Sequence, residues 1–293
     1  MKTKNAVVIY ALITLVQLFL LVNYAMGEEY YLIGTASSIN EMEIFSLNGD
    51  VFKLHKKIKL PEIIYFQWPN YNRVTHDLYF EGSSEIPTHS RYIYKYNPDN
   101  NHPIEQILEG AYPALSPDGK WLAYRQGHLW LFNLEKKQTK EIADDMNNVQ
   151  PPVWISNSRM LYYSINNQLI LLDILTGEKR MTGYEKIIPG ALSPDGKKVL
   201  CVNLESDKII LYSINDNKIE TIKESKFLSI NSNFIWQPNG KSFLFCRQRW
   251  STVLQLKEWG SLFLFSLEDR TEKDLNLGIG FLGGVEGDFE KWK

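Results

Sequence analysis

The chain has 293 residues, with 32 Lys and Arg against 34 Asp and Glu, a formal net charge of −2 and 44% hydrophobic residues. That balance excludes the basic excess of a nucleic-acid-binding surface. The two cysteines, Cys201 and Cys246, fall inside apolar strand-like runs, where two small buried side chains are expected rather than a disulfide.

Residues 1–5 carry Lys2 and Lys4 and no acid, and residues 6–22 form a run of seventeen interrupted only by Thr14 and Gln17. This reads as a signal peptide over 1–27, with Ala25 and Gly27 supplying the small residues of a cleavage site before Glu28. An uncleaved amino-terminal anchor is the alternative, and a membrane contact is expected only through it. Either way the rest of the chain is expected to be exported, periplasmic or secreted. Removing 1–27 takes the formal charge to −4 and leaves enough chain for one large all-β domain.

Residues 30–36, 42–47 and 51–55 read as three strands with no innermost strand ahead of them. From residue 61 the chain falls into units of four strands, over about 61–110, 111–145, 146–184, 185–224 and 225–277. The clearest has strands at 111–115, 121–125, 129–133 and 139–142, matched by 187–192, 199–203, 209–213 and 218–222. The second and third strands are apolar almost throughout, as a strand covered on both faces must be, while the fourth is polar, as a wet outer strand should be. Innermost strands are expected at 63–66, 111–114, 149–152, 187–190 and 231–234, with hardly a titratable side chain among them.

Between first and second strands stands a recurring turn: Ser116-Pro117-Asp118-Gly119-Lys120 and Ser193-Pro194-Asp195-Gly196-Lys197, with weaker copies at Gln237-Pro238-Asn239-Gly240-Lys241, Trp68-Pro69-Asn70 and Ile155-Ser156-Asn157-Ser158. Pro presets φ for the first corner, Asp bonds its own backbone and Gly takes the left-handed position. Counted at the Pro position the copies lie 48, 39, 38 and 44 residues apart, the spacing of propeller blades. A six-bladed β-propeller of four-stranded antiparallel blades is therefore predicted. Its sixth blade combines 30–56 with the tail 279–293, whose apolar stretch at Phe281, Leu282 and Val285 would supply the missing inner strand.

This repeat, Leu-Ser-Pro-Asp-Gly-Lys followed by an apolar strand ending in Ala123-Tyr124 and by Leu129-Trp130-Leu131-Phe132, resembles that of the TolB-type propellers. It also occurs in the propeller domains of prolyl oligopeptidase-like and dipeptidyl-peptidase-like proteins. The motif is strict at 116–120 and 193–197 and degenerate elsewhere. Because the first strand is read within a few residues of the signal, no counterpart of TolB's separate amino-terminal domain is expected in residues 1–293, nor of the α/β-hydrolase domain of the peptidases. The TolB-type resemblance implies a propeller that acts through protein contacts at the cell envelope.

No nucleophile elbow, zinc helix, Cys-x-x-Cys pair, phosphate loop or calcium-loop spacing is present, so no catalytic residue, metal or cofactor is assigned. His55, His76, His89, His102 and His128 stand apart and read as surface histidines; residues 97–101 read as a hairpin turn and Asp144-Asp145 as a solvated loop. The connection between second and third strands lengthens at 82–90 and at 247–260, on one rim of the ring. The second insertion carries Arg247, Arg249, Trp250 and Trp259, residue types that dominate binding hot spots, and these four are the candidate binding residues. Folding back onto the neighbouring blade is the alternative use of the two Trp. Three functions stay open: a monomeric, non-catalytic scaffold that docks another envelope or secreted protein or peptide, a carbohydrate- or small-ligand-binding propeller, or a lyase or hydrolase with a site in the central channel.

Overall fold

A strand that is apolar on both faces must be covered on both faces, and here this requirement sets the architecture. A computed structural model describes residues 29–34, 41–48, 51–60, 63, 65–72, 74–84, 90–97, 104–148, 150–224, 234–237, 239–250 and 257–275. An amino-terminal sheet holds β1 (Glu29–Gly34), β2 (Glu41–Asn48) and β3 (Val51–Lys59). Five four-stranded antiparallel blades follow, each with its strands in chain order. The first is β4 (Tyr65–Tyr71), β5 (Leu78–Ser83), β6 (Tyr92–Tyr96) and β7 (Glu105–Glu109). The second is β8 (Ala111–Leu115), β9 (Trp121–Gln126), β10 (His128–Asn133) and β11 (Gln138–Ala143). The third is β12 (Val153–Ser156), β13 (Arg159–Tyr163), β14 (Gln168–Asp173) and β15 (Lys179–Glu185). The fourth is β16 (Ile187–Leu192), β17 (Lys198–Asn203), β18 (Lys208–Ser213) and β19 (Lys218–Glu224). The fifth is β20 (Phe234–Trp236), β21 (Ser242–Trp250), β22 (Lys257–Ser266) and β23 (Glu272–Asp274).

Successive side chains of the middle strands go to opposite neighbours. Met160 and Tyr162 of β13 join a core shared with the second blade, while Leu161 joins one shared with the fourth. Likewise Val199 and Cys201 of β17 face the third blade and Leu200 and Val202 the fifth. Leu78 and Phe80 of β5 pack with Met42 and Ile58 of the amino-terminal sheet, and Tyr79 packs with Leu122, Tyr124 and Phe132 of the second blade. Each blade boundary is thus one apolar layer, and strands with period-2 geometry and apolar residues at every position can build nothing else. The fifth blade fills its layer with aromatic rings, Phe243 tilted against Phe265 at 5.2 Å and Phe245 stacked on Phe263 at 5.5 Å. Cys201 is buried and free, with burial pushing its thiol up, consistent with a packing role.

The inner strands contact one another in series, β4 with β8, β8 with β12, β12 with β16 and β16 with β20, which is the radial order of a propeller. Each inner strand pairs with only one neighbour in its own blade, so its other edge needs partners. Side chains from adjacent blades provide them. Asn70 Nδ2 donates to the Pro113 carbonyl at 3.0 Å and its Oδ1 accepts the Leu115 N–H at 3.1 Å. The Trp154 indole donates to the Ala114 carbonyl at 2.9 Å, Gln150 Nε2 to Pro189 at 2.7 Å and the Trp236 indole to Ala191 at 3.1 Å.

Several expectations need correction. Five four-stranded blades are described, not six, because the amino-terminal sheet has three strands; the tail 279–293 lies outside the described residues, as does the 1–27 segment read as a signal. Trp68-Pro69-Asn70 is not a turn but a bulge inside β4, between the Gln67↔Glu81 and Asn70↔Tyr79 pairs. The turn of that blade follows it, where the Asn72 N–H donates to the Asp77 carbonyl and Asn72 Oδ1 accepts the Val74 N–H. The third inner strand is β12, starting at Val153 rather than 149, and the fifth is β20, starting at Phe234; 225–233 lie outside the described residues.

The Ser-Pro-Asp-Gly turns form as expected. Ser116 Oγ donates to Asp118 Oδ1 at 2.7 Å and accepts the Trp121 N–H at 2.9 Å, and Ser193 repeats this with Asp195 at 2.6 Å and the Lys198 N–H at 2.9 Å. Gly119 sits at φ +69°, where a Cβ would come within 2.6 Å of Asn72 Oδ1, so glycine is required for conformation and space alike. The Ser193 hydroxyl, ahead of the Lys197 N–H, holds the Asp195 carboxyl below its ordinary range.

Asn70→Ala removes an acceptor and a donor from the edge of β8 and leaves the Leu115 N–H without its partner. It is expected to cost about 2 kcal/mol in urea unfolding, and Asn70→Asp, which keeps the acceptor but sets a carboxylate oxygen against the Trp68 and Pro113 carbonyls, is expected to cost at least as much.

Candidate functional site around Tyr112 and the upper rim

In every blade the second-to-third-strand connection and the link to the next blade lie on one rim, the upper, while the Ser-Pro-Asp-Gly turns lie on the lower. At the upper end of β8 the ladder skips from Ala111↔Arg125 to Ala114↔Ala123, leaving Tyr112 and Pro113 as a bulge with Tyr112 at φ +57°. Such a conformation is costly for a bulky side chain and survives only where its surroundings hold it. The bulge withdraws the Tyr112 N–H from the ladder. Glu81 of β5, wholly buried, accepts it through Oε2 at 2.8 Å.

The alternation of β5 puts Glu81 on the Tyr79 side, against the second blade. Its Oε1 lies 3.3 Å from Arg91 Nη1, an ion pair without the alignment of a hydrogen bond. The Arg91 guanidinium sits 5.6 Å over the Tyr112 ring and Nη1 donates to the Tyr112 hydroxyl at 3.4 Å. That hydroxyl donates onward to the Asn148 carbonyl at 3.1 Å, and Arg125 Nε donates to the Met146 carbonyl at 3.4 Å. Burial raises the Tyr112 hydroxyl and lowers the Arg125 guanidinium from their ordinary values. The group ties three blades together. With both Glu81 oxygens turned to the Tyr112 N–H and to Arg91, it is built as a lock rather than as an exposed acid–base centre.

Of the sequence-predicted binding residues, Arg247, Arg249 and Trp250 lie on β21 and Trp259 on β22. They do not occupy a loop: the ladder continues through Arg247↔Ser261 and Arg249↔Glu258 to Trp250↔Lys257. With 9 and 10 residues these strands exceed the 5- and 6-residue pair β13 and β14, so the hairpin projects above the upper rim. The hairpin tip at 251–256 lies outside the described residues, as does 85–89 of the other insertion. The eight turn residues, Ser116 to Gly119 and Ser193 to Gly196, stand on the opposite rim from the hairpin. His128 is not partnerless, its Nδ1 lying 2.7 Å from Glu141 Oε1, and Asp145 is more than a solvated loop residue, accepting from the Tyr162 hydroxyl at 2.6 Å and from Lys179 at 2.8 Å.

Glu81, Arg91 and Arg125 were missed by sequence reasoning, which sought titratable groups on the inner strands, in turns and in the long connections but not on the buried second strands. Glu81 could have been found as a carboxylate inside the apolar run of a second strand.

Burial lifts the Glu81 carboxyl above its ordinary value near 4.5, with Arg91 and the Tyr112 N–H pulling it partly back. The native state then holds that proton more tightly than the unfolded chain, so its contribution favours folding below about 4.5 and is lost as pH rises through the raised native value. Relative to Glu81→Gln, the wild type is expected to lose stability from about pH 4.5 towards neutrality in urea titrations. Glu81→Ala, which strands the Tyr112 N–H, is expected to cost about 2 kcal/mol throughout.

No family model matches the chain, and no curated protein does. Among solved structures, TolB from Acinetobacter baumannii superposes with a TM-score of 0.66 at 15% identity, over 87% of this chain and 64% of that one. This chain therefore spans less than two thirds of that protein's length. A protein assigned as a TolB from Agrobacterium tumefaciens superposes at 0.61 and 15% identity, over 89% of this chain and 94% of that one. An oligogalacturonate lyase in complex with manganese reaches 0.49 at 14% identity, which adds nothing to the comparison. With blades in series, antiparallel four-stranded sheets and these two superpositions, the chain has the fold of a TolB-type β-propeller.

Proposed function

We propose that this chain is an exported, non-catalytic β-propeller scaffold that docks a protein or peptide at the cell envelope through its upper rim. The observation that carries this reading is the projecting hairpin of β21 and β22. A paired ladder running out to Trp250↔Lys257 holds Arg and Trp positions on a stiff two-stranded ribbon instead of a slack loop. Ordering such residues before contact reduces what binding must supply in lost freedom. Export rests on the reading of residues 1–27, and envelope contacts on the TolB-type resemblance. A scaffold role also fits the lock around Glu81, whose two oxygens are spent on the Tyr112 N–H and on Arg91.

Cross-linking in the native host, with mass-spectrometric identification, is expected to capture an envelope protein with the wild type. The double variant Arg249→Ala, Trp250→Ala is expected to lose that capture with its thermal transition nearly unchanged. Capture that survives the double substitution, or a large fall in stability, would assign the hairpin a structural role instead.

A further inference from the structure

We propose that Arg125, with Arg91 beside it at the Tyr112 edge of the upper rim, is a seat for a carboxylate that the docking partner presents. The inference rests on the docking reading and names the chemistry of the partner. Its basis is a charge that the described residues leave unanswered. Arg91 and Arg125 approach the same tyrosine from neighbouring blades, Arg91 through its ring face and hydroxyl, and Arg125 from the β9 position paired with Ala111. Glu81 is the carboxylate of this group, and it is paired with Arg91 and closed off from solvent.

Arg125 is half-buried, and its contact among the described residues is one long bond from Nε to the Met146 carbonyl at 3.4 Å. Burial and the neighbouring Arg91 both disfavour its charge. The nearest link does carry acids, Asp144 and Asp145, but Lys179 holds both, at 3.1 and 2.8 Å, and Tyr162 binds Asp145 as well. A partly desolvated guanidinium without a counter-ion among the described residues is costly, and its Nη atoms, which make no hydrogen bond among those residues, are shaped for a two-oxygen anion. A protein or peptide partner offers that anion as an Asp or Glu side chain. The seat lies on the rim from which the β21–β22 hairpin projects, three blades along the series.

The test uses the purified full chain at low salt, titrated calorimetrically with a blocked tetraglutamate peptide and with the matching tetraglutamine peptide. Tetraglutamate is expected to bind and tetraglutamine not. Arg125→Gln is expected to weaken tetraglutamate about tenfold or more, while the loss of one 3.4 Å bond to the Met146 carbonyl leaves the protein folded. Arg125→Lys, which keeps the charge and loses the fork, is expected to fall between. Equal binding of the two peptides, or unchanged binding by Arg125→Gln, overturns the seat. So does competition by acetate or inorganic phosphate at the concentrations where the peptide binds, since the site would then serve small free anions. A destabilised Arg125→Gln that still binds tetraglutamate would reduce Arg125 to a strut for Met146. If Arg125→Gln loses the peptide yet keeps the cross-linked partner, the seat is refuted as part of the docking surface and the docking reading stands. If the wild type captures no partner, the docking reading fails, whatever the peptide shows.

Discussion

A propeller blade ends, towards the axis, in a strand with one open edge, and the whole ring depends on how those edges are satisfied. Buried backbone donors and acceptors without partners would cost more than any single apolar contact returns. Here the neighbouring blade sends a side chain across: Asn70 to Pro113 and Leu115, Trp154 to Ala114, Gln150 to Pro189, Trp236 to Ala191. Because each bond runs between blades, the same groups that satisfy the edge also fix the angle at which blades meet. Where the ladder itself is broken, at the Tyr112 bulge, the requirement grows and a full carboxylate is brought in. The close approach of inner strands appears again at Gly190, where a Cβ would meet Phe234 at 2.6 Å.

Much of this was legible in the residues. The two strict turns encode their own geometry, since Ser, Pro, Asp and Gly each do a distinct job at adjacent positions, and the strands beside them, β8 to β10 and β16 to β18, begin and end close to where periodicity placed them. Apolar residues at every position of the middle strands announced burial on both faces. What failed did so for identifiable reasons. Trp68-Pro69 looks like a turn because Pro marks turns, yet in this fold aromatic-Pro marks the bulge of an inner strand, as at Tyr112-Pro113. The third inner strand, expected from 149, starts four residues later, at Val153 beyond Pro151 and Pro152.

The candidate site was less legible, because its members come from different blades. Glu81, Arg91, Tyr112 and Arg125 are separated by up to 44 positions and share no local pattern. Only the radial arrangement makes a carboxylate of one blade the partner of a backbone N–H in the next. The hairpin was seen as an insertion but not as a ribbon, since residues 247–250 and 257–261, polar apart from Trp250, Trp259 and Gly260, carry none of the apolar alternation that signals a strand.

Two of the cross-blade bonds are made by indoles, Trp154 at the boundary of second and third blades and Trp236 at that of fourth and fifth. Indole emission shifts to the red when the ring gains water. Each of these seams therefore carries a built-in optical marker, and a protein keeping one indole at a time could show whether the ring parts at one boundary first or at both together.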